Sequence, residues 1–160
     1  MGNRAVITTA PFKKSNVGIY IHWNGGRASI EAFLATAREL GWRAPGSDRS
    51  YAIARLTQII ANYFGADGLS IGVDLCSNLD CDNGDNGTYL LGQDWEIVGR
   101  LHANPAYDEI DAEKTEEIKG ECLARIRDVE RLAQERLEAA RAARVAAADA
   151  RAAAGGSHAH

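Results

Sequence analysis

The chain has 160 residues, 46% of them hydrophobic and 25% charged, with a formal net charge of −4 at pH 7. That size suits one compact domain with an appendage better than two domains. The acidic balance argues against a partner such as long nucleic acid, bound by counterion release, but leaves room for a local basic pocket that takes one small anion.

Cys76, Cys81 and Cys122 cannot all pair within one chain, and their spacing matches neither a zinc ribbon nor a redox pair. Reduced thiols in a cytoplasm are the simplest expectation. The first residues lack the apolar core of a signal peptide, and no apolar run approaches the roughly 18 residues of a membrane span, so no membrane is expected as partner. Gly2 opens like a myristoylation signal, but Val6 stands where Ser or Thr is needed.

In chain order, Arg4–Thr9 and Val17–Trp23 are rich in Val, Ile, Thr and Tyr and flank a turn-like stretch from Pro11 to Asn16, which predicts a β-hairpin. Ile30, Phe33, Leu34, Ala37 and Leu40 then recur at helical spacing, predicting a helix that begins at Ser29 and stops at Gly41. A second helix is predicted over Arg49–Phe64, closed by Gly65. Strand signals return in Leu69–Asp74, Thr88–Leu91 and Trp95–Arg100, with an Asx- and Gly-rich connection, Asn78–Gly87, between the first two. The fold class expected is α+β: a mainly antiparallel β-sheet with two packed helices and a long C-terminal oligomerisation helix.

Residues 1–105 are read as an α+β ligand-binding domain, 106–154 as the long C-terminal helix, and 155–160 as a flexible tail. The helix expectation rests on a stretch beyond Pro105 dominated by Ala, Glu and Arg. Its apolar stripe, Ile118, Cys122, Ile126, Val129, Ala133, Leu137 and Ala140, has the spacing of a coiled-coil seam and predicts a dimer or larger assembly.

The segment His22-Trp23-Asn24-Gly25-Gly26-Arg27-Ala28-Ser29 carries the clearest candidate chemistry. Two glycines let backbone N–H groups approach an anion, a helix N-terminus adds partial positive charge, Arg27 adds a full one, and Trp23 offers a stacking face. A strand-to-helix turn with a packed Trp accounts for the same residues. Arg55, set among Ile53, Leu56 and Ile59, must reach the helix edge or a paired anion. Arg125, Arg127 and Arg131 lie on the long helix, Arg127 and Arg131 on one face, with Glu121, Asp128 and Glu130 available to neutralise them.

Asp80–Asn86 looks like an EF-hand loop, but no register puts both the Gly and the closing Glu in place. A hairpin connection, or a loop whose Asp85 and Asn86 hydrogen-bond a ligand, fits better. His22 and His102 have no nucleophile or carboxylate partner in sequence, and neither a Gly-x-Ser-x-Gly elbow nor a phosphate loop occurs. No catalytic residues, metal site or cofactor are expected.

The strings Gly2-Asn3-Arg4-Ala5-Val6-Ile7-Thr8-Thr9, Ile21-His22-Trp23-Asn24-Gly25-Gly26-Arg27, Asp85-Asn86-Gly87-Thr88-Tyr89 and Trp95-Glu96-Ile97-Val98-Gly99-Arg100, with a long C-terminal helix, resemble a phage anti-Thoeris family. The likeness covers roughly residues 2–130. Such proteins sequester cyclic ADP-ribose isomers made by bacterial TIR immune enzymes. The resemblance implies a non-enzymatic sponge in the host bacterial cytoplasm that holds glycocyclic ADP-ribose intact between protomers. It also implies homodimers through the C-terminal helices, further assembly to a hexamer, and a second kind of site for cyclic trinucleotides. Carried over, Asn86 and the Arg125–Arg131 stretch become candidates for the first site, and Arg27 and Arg55 for the second. The Ala/Arg-rich extension after Leu137 departs from the family's shorter ends. Two rival expectations remain: a metal-dependent hydrolase of the same nucleotides, using His22, His102 and the Asp80–Asp85 carboxylates, and a protein-interaction module that binds no nucleotide.

Overall fold

The computed structural model describes residues 2–65 and 70–155. They divide into two compact units, the first ending at Arg125 and the second beginning at Ile126. The fold is α+β, with a five-stranded mixed sheet, two helices and a long C-terminal helix.

The centre of the sheet is β1, Ala5–Thr9, a run of β-formers buried at every position. It forms the predicted hairpin with β2, Val17–Ile21, in a register running from Ala5↔Ile21 to Thr8↔Gly18. β3, Ile71–Leu75, adds antiparallel to β2. The predicted strand start at Leu69 lies outside the described residues. β4, Thr88–Leu91, takes the other side of β1 in parallel, pairing Val6 with Thr88, and β5, Ile97–Leu101, closes that edge antiparallel to β4. The strand order is therefore β3-β2-β1-β4-β5. Asn78–Gly87 is accordingly no hairpin connection: it carries the chain from an edge strand across to the far side of β1. After β2 has paired, one edge of β1 is left with unpaired peptide groups, and β4 satisfies them.

α1 spans Arg27–Glu39 and begins two residues before the expected Ser29, so Arg27 occupies the first helical position. Ile30, Phe33, Leu34 and Ala37 form its buried face, and Gly41 leaves it at φ +64°. α2 is Arg49–Phe64, as predicted; the Asp48 side chain caps it by accepting from the Tyr51 N–H at 3.0 Å. The two helices pack side by side, α2 against β2.

β5 starts at Ile97 and not at Trp95. Trp95 has φ +58°, is 1% exposed, and donates its indole N–H to the Trp42 carbonyl at 3.1 Å. The turn around it is tied by the Glu96 carboxylate, which accepts from the Gln93 and Asp94 N–H groups. Burial of one large ring fixes a turn where strand propensity alone predicts extended chain.

A 3-10 turn, Pro105–Tyr107, leads to α3, Ala112–Gly155. The helix thus starts later than residue 106, after an Asp111 side chain that accepts from the Lys114 N–H at 2.9 Å, and it runs through Gly155. Residues 156–160 of the expected tail lie outside the described residues. In the first unit Ile118, Cys122 and Leu123 of α3 are buried. In the second, Val129, Leu132, Leu137 and Val145 are exposed. None of the described helices is long and apolar enough to cross a membrane.

Candidate functional site

The α1 N-terminus opens onto a polar cleft of about 240 Å³ in the first unit, lined among others by Asn3, Asn24, Gly26, Arg27, Ser29, Asn86, Tyr107 and Lys114. Its construction follows from the two strands that flank it. Asn3 precedes β1 and Asn86 precedes β4, so the parallel pairing of those strands brings both amides to one end of the sheet. Asn86 is fully buried; its amide donates to the Asn3 side-chain oxygen and, at 3.1 Å, to the Arg4 carbonyl.

The expected use of Gly25 and Gly26 needs correction. The Gly25 N–H is taken by the Asn3 carbonyl at 2.7 Å, and a Cβ there would lie 2.6 Å from that oxygen, so Gly25 serves close packing. Gly26 is the N-cap and supplies no side-chain cap. The positive end of the helix therefore faces the cleft with no side-chain oxygen to cap it, the Gly26 carbonyl accepting from the Ser29 and Ile30 N–H groups.

Among the described residues, four buried side-chain polar atoms lack a hydrogen-bond partner: Arg27 Nε, Asn86 Oδ1, Tyr89 OH and Arg100 Nε. All four belong to one neighbourhood. Arg27 and Asn86 line the cleft, Arg100 donates to the Asn86 carbonyl at 2.8 Å and stacks 4.5 Å over the Tyr89 ring, and Arg27 and Arg100 share the Asp108 carboxylate. Burying a polar group unpaired costs about 1–3 kcal/mol, so native proteins rarely gather several in one place without use. Two N–H donors, one carbonyl acceptor and one phenol make a set suited to a ligand bearing both oxyanions and hydroxyl or amino groups.

Electrostatics at the site are finely divided. Arg27 lies 3.3 Å from Asp108 and 3.7 Å from Glu31, and Arg100 lies 2.6 Å from Asp108. The Arg100 hydrogen bond, with help from Arg27, holds the Asp108 carboxyl below the usual carboxylate range. Burial pushes the Tyr89 phenol up to about 12, so it stays a neutral donor at physiological pH. Arg100 and Tyr89 are direct cross-strand partners, which explains their stack. Asp85, next to the cleft, is bound at 2.8 Å by Arg4, and that bond holds its carboxyl below the usual carboxylate range.

Of the residues singled out in the sequence, Arg27 and Asn86 meet in this cleft, although the resemblance assigns them to two different sites. Trp23 does not join them. It stands 46% exposed, edge-on to His22 at 4.9 Å, over a separate groove with Tyr20 and Ile71. Arg55 also lies elsewhere: it sits 4.8 Å over Tyr51 and 5.2 Å over Trp42 and donates to Gln58, so no Arg27–Arg55 pair forms within one chain. Arg125 caps the α2 end, donating to the Asn62 carbonyl over the Tyr63 ring. Arg131 is held by Asp128 and Glu135 of its own helix, and Arg127 is exposed on the same helix.

Three members of the site, Tyr89, Arg100 and Asp108, were not singled out. An Arg inside the apolar strand run Ile97–Leu101 is the signal that marks Arg100; Tyr89 and Asp108 carry none until β4 and β5 are paired. The rival hydrolase arrangement finds no support in the loop it needs. His22 meets Tyr20 at 3.1 Å, His102 meets Asp82 at 3.6 Å, and Asp80 and Asp85 both face Arg4. Among the described residues no group of three or more His, Cys, Asp or Glu is placed to hold a metal ion. The Asx residues of the EF-hand-like loop bond one another: Asn83 donates to the Asp80 and Gly87 carbonyls and accepts from the Asp85 and Gly87 N–H groups. Compared with protein-family models, curated proteins and solved structures, the chain matches none.

Proposed function

We propose that the protein binds a small cyclic nucleotide signal at the α1 cleft and sequesters it without cleavage, acting as an anti-defence sponge against Thoeris-like immunity. The observation that carries this reading is the gathering of four buried polar atoms that form no hydrogen bond beside a helix N-terminus without a side-chain cap. Oxyanion groups of the ligand meet Arg27 and Arg100, while ribose hydroxyls or a base amine meet Asn86 Oδ1. The resemblance to the anti-Thoeris family supplies the ligand class, glycocyclic ADP-ribose isomers or cyclic trinucleotides.

A cleft of about 240 Å³ falls below the roughly 300–1,000 Å³ of sites that enclose a whole drug-sized ligand. One protomer thus takes one half of such a molecule, and a second copy completes the site. Val129, Leu132 and Leu137, exposed on the distal helix, are the surface through which two copies associate.

The test is to incubate purified protein with the cyclic product of a TIR enzyme, heat-denature it and identify the released nucleotide by mass spectrometry. Intact release from a complex with Kd on the order of nanomolar supports the sponge. Recovery of only cleaved nucleotide overturns it in favour of an enzyme. The same exposed apolar residues favour a second reading, a module that binds another protein. It predicts no thermal stabilisation by any cyclic nucleotide, whereas a specific ligand at 100-fold its Kd stabilises by about 2.7 kcal/mol.

A further inference from the structure

We infer that Arg27 and Arg100 form a two-guanidinium seat for a phosphate group, and that Asp108 is a built-in counter-ion which the incoming phosphate displaces. The inference deepens the nucleotide reading and takes its ligand class from it, but its geometry stands apart from any nucleotide.

Both guanidinium groups converge on a single atom, Asp108 Oδ1, at 2.6 Å from Arg100 and 3.3 Å from Arg27. A carboxylate engaged through one oxygen uses only part of what two arginines offer: Nε of each forms no hydrogen bond, that of Arg27 lying 3.7 Å from the Glu31 carboxylate. A phosphate presents more oxygens in a tetrahedral array and can accept from both forks at once. It also brings up to two negative charges where Asp108 brings one.

The fixed and movable partners are distinguishable. The Arg100 side chain is 9% exposed and is held by the Tyr89 ring and the Asn86 carbonyl, so little conformational freedom is lost when it grips a ligand. Arg27 stands on the first turn of α1, whose N-terminal N–H groups reinforce the seat. Asp108, 49% exposed, belongs to the connection between β5 and α3, whose regular structure is one 3-10 turn. Moving that connection breaks two ion pairs but uncovers little buried surface. The acid therefore satisfies the arginines in the free protein and raises the threshold for weak anions.

The probe is inorganic pyrophosphate, titrated calorimetrically at fixed ionic strength. The wild type is expected to bind it, and Asp108→Asn to bind it roughly tenfold tighter, because the competing carboxylate is gone. Glu109→Gln removes a charge from the same cleft without touching either arginine, and is expected to stay within about twofold of wild type. Arg27→Gln added to Asp108→Asn is expected to abolish the gain. Equal affinity in wild type and Asp108→Asn, an equal gain in Glu109→Gln, or no pyrophosphate binding by any variant overturns the seat. Cyclic nucleotide binding that persists while pyrophosphate ignores Asp108 defeats the seat and spares the proposed function. The expected pyrophosphate pattern without nucleotide binding does the reverse.

Discussion

The cleft at the start of α1 and the distal half of α3 use the same charged residue types to opposite ends. Around the cleft, Arg100 is nearly buried, its partners come from two separate segments, and part of its hydrogen-bonding capacity is left over. On α3, Arg131 is 55% exposed and is answered by Asp128 and Glu135, three and four residues away. Local pairs of that second kind are screened by water and contribute little. An arginine becomes informative about function when burial makes its unmet hydrogen bonds costly, and not by its frequency in a stretch of sequence.

The widest gap expected between the two regions is in stability. Phe33→Ala, which empties a fully buried position on α1, is expected to cost about 3–5 kcal/mol in urea unfolding. A loss below 1 kcal/mol would mean that the α1 side of the molecule is not a packed core. Next, Asn86→Ala leaves the Asn3 side-chain oxygen without its donor and takes the side-chain one of two donors from the Arg4 carbonyl, and should destabilise by about 1–3 kcal/mol while removing the cleft's acceptor. Ligand affinity unchanged in a folded Asn86→Ala protein would place the site elsewhere.

Titration sharpens the contrast from the chemical side. Asp85 and Asp108 have native values below their ordinary 3.8, so the stability they add is complete above about pH 4 and is lost as pH falls through those depressed values. Tyr89 behaves in the opposite sense. Its value is raised to about 12, so its contribution is complete below about pH 10 and is lost as pH climbs towards 12. Tyrosinate absorbance of the native protein should accordingly show one phenol that resists ionisation; its absence would contradict the burial of Tyr89. The smallest effect belongs to the distal helix, where Val145→Ala is expected to move the unfolding free energy by no more than about 0.5 kcal/mol. A larger loss measured at high protein concentration only would show that this surface is covered by a second copy.

The elements that a local pattern can specify were legible: the β1–β2 hairpin, α2 to the residue, β4, and a long helix after Pro105. Boundaries were missed where a distant group decides them. Trp95 turns the chain because its ring is buried and tied to the Trp42 carbonyl, and α1 starts at Arg27, directly after a glycine pair whose first member, Gly25, packs closely on Asn3. Two of the five residues of the candidate site were singled out from the sequence. Arg27 stood out by its glycines and Asn86 by its place in the resemblance, but nothing in the sequence joined one to the other.

By itself the sequence determined the α+β class, because hydrophobic period and turn residues act over a few positions and need no partner. Only the tertiary structure decided that β4 runs parallel to β1. That long-range pairing sets Asn86 beside Asn3, the antiparallel pairing of β5 with β4 places Arg100 over Tyr89, and two arginines distant in the chain meet one aspartate. Strand neighbours far apart in the chain are chosen by which peptide edge remains unpaired and which side chains fill the core, and neither is written in any local stretch of residues.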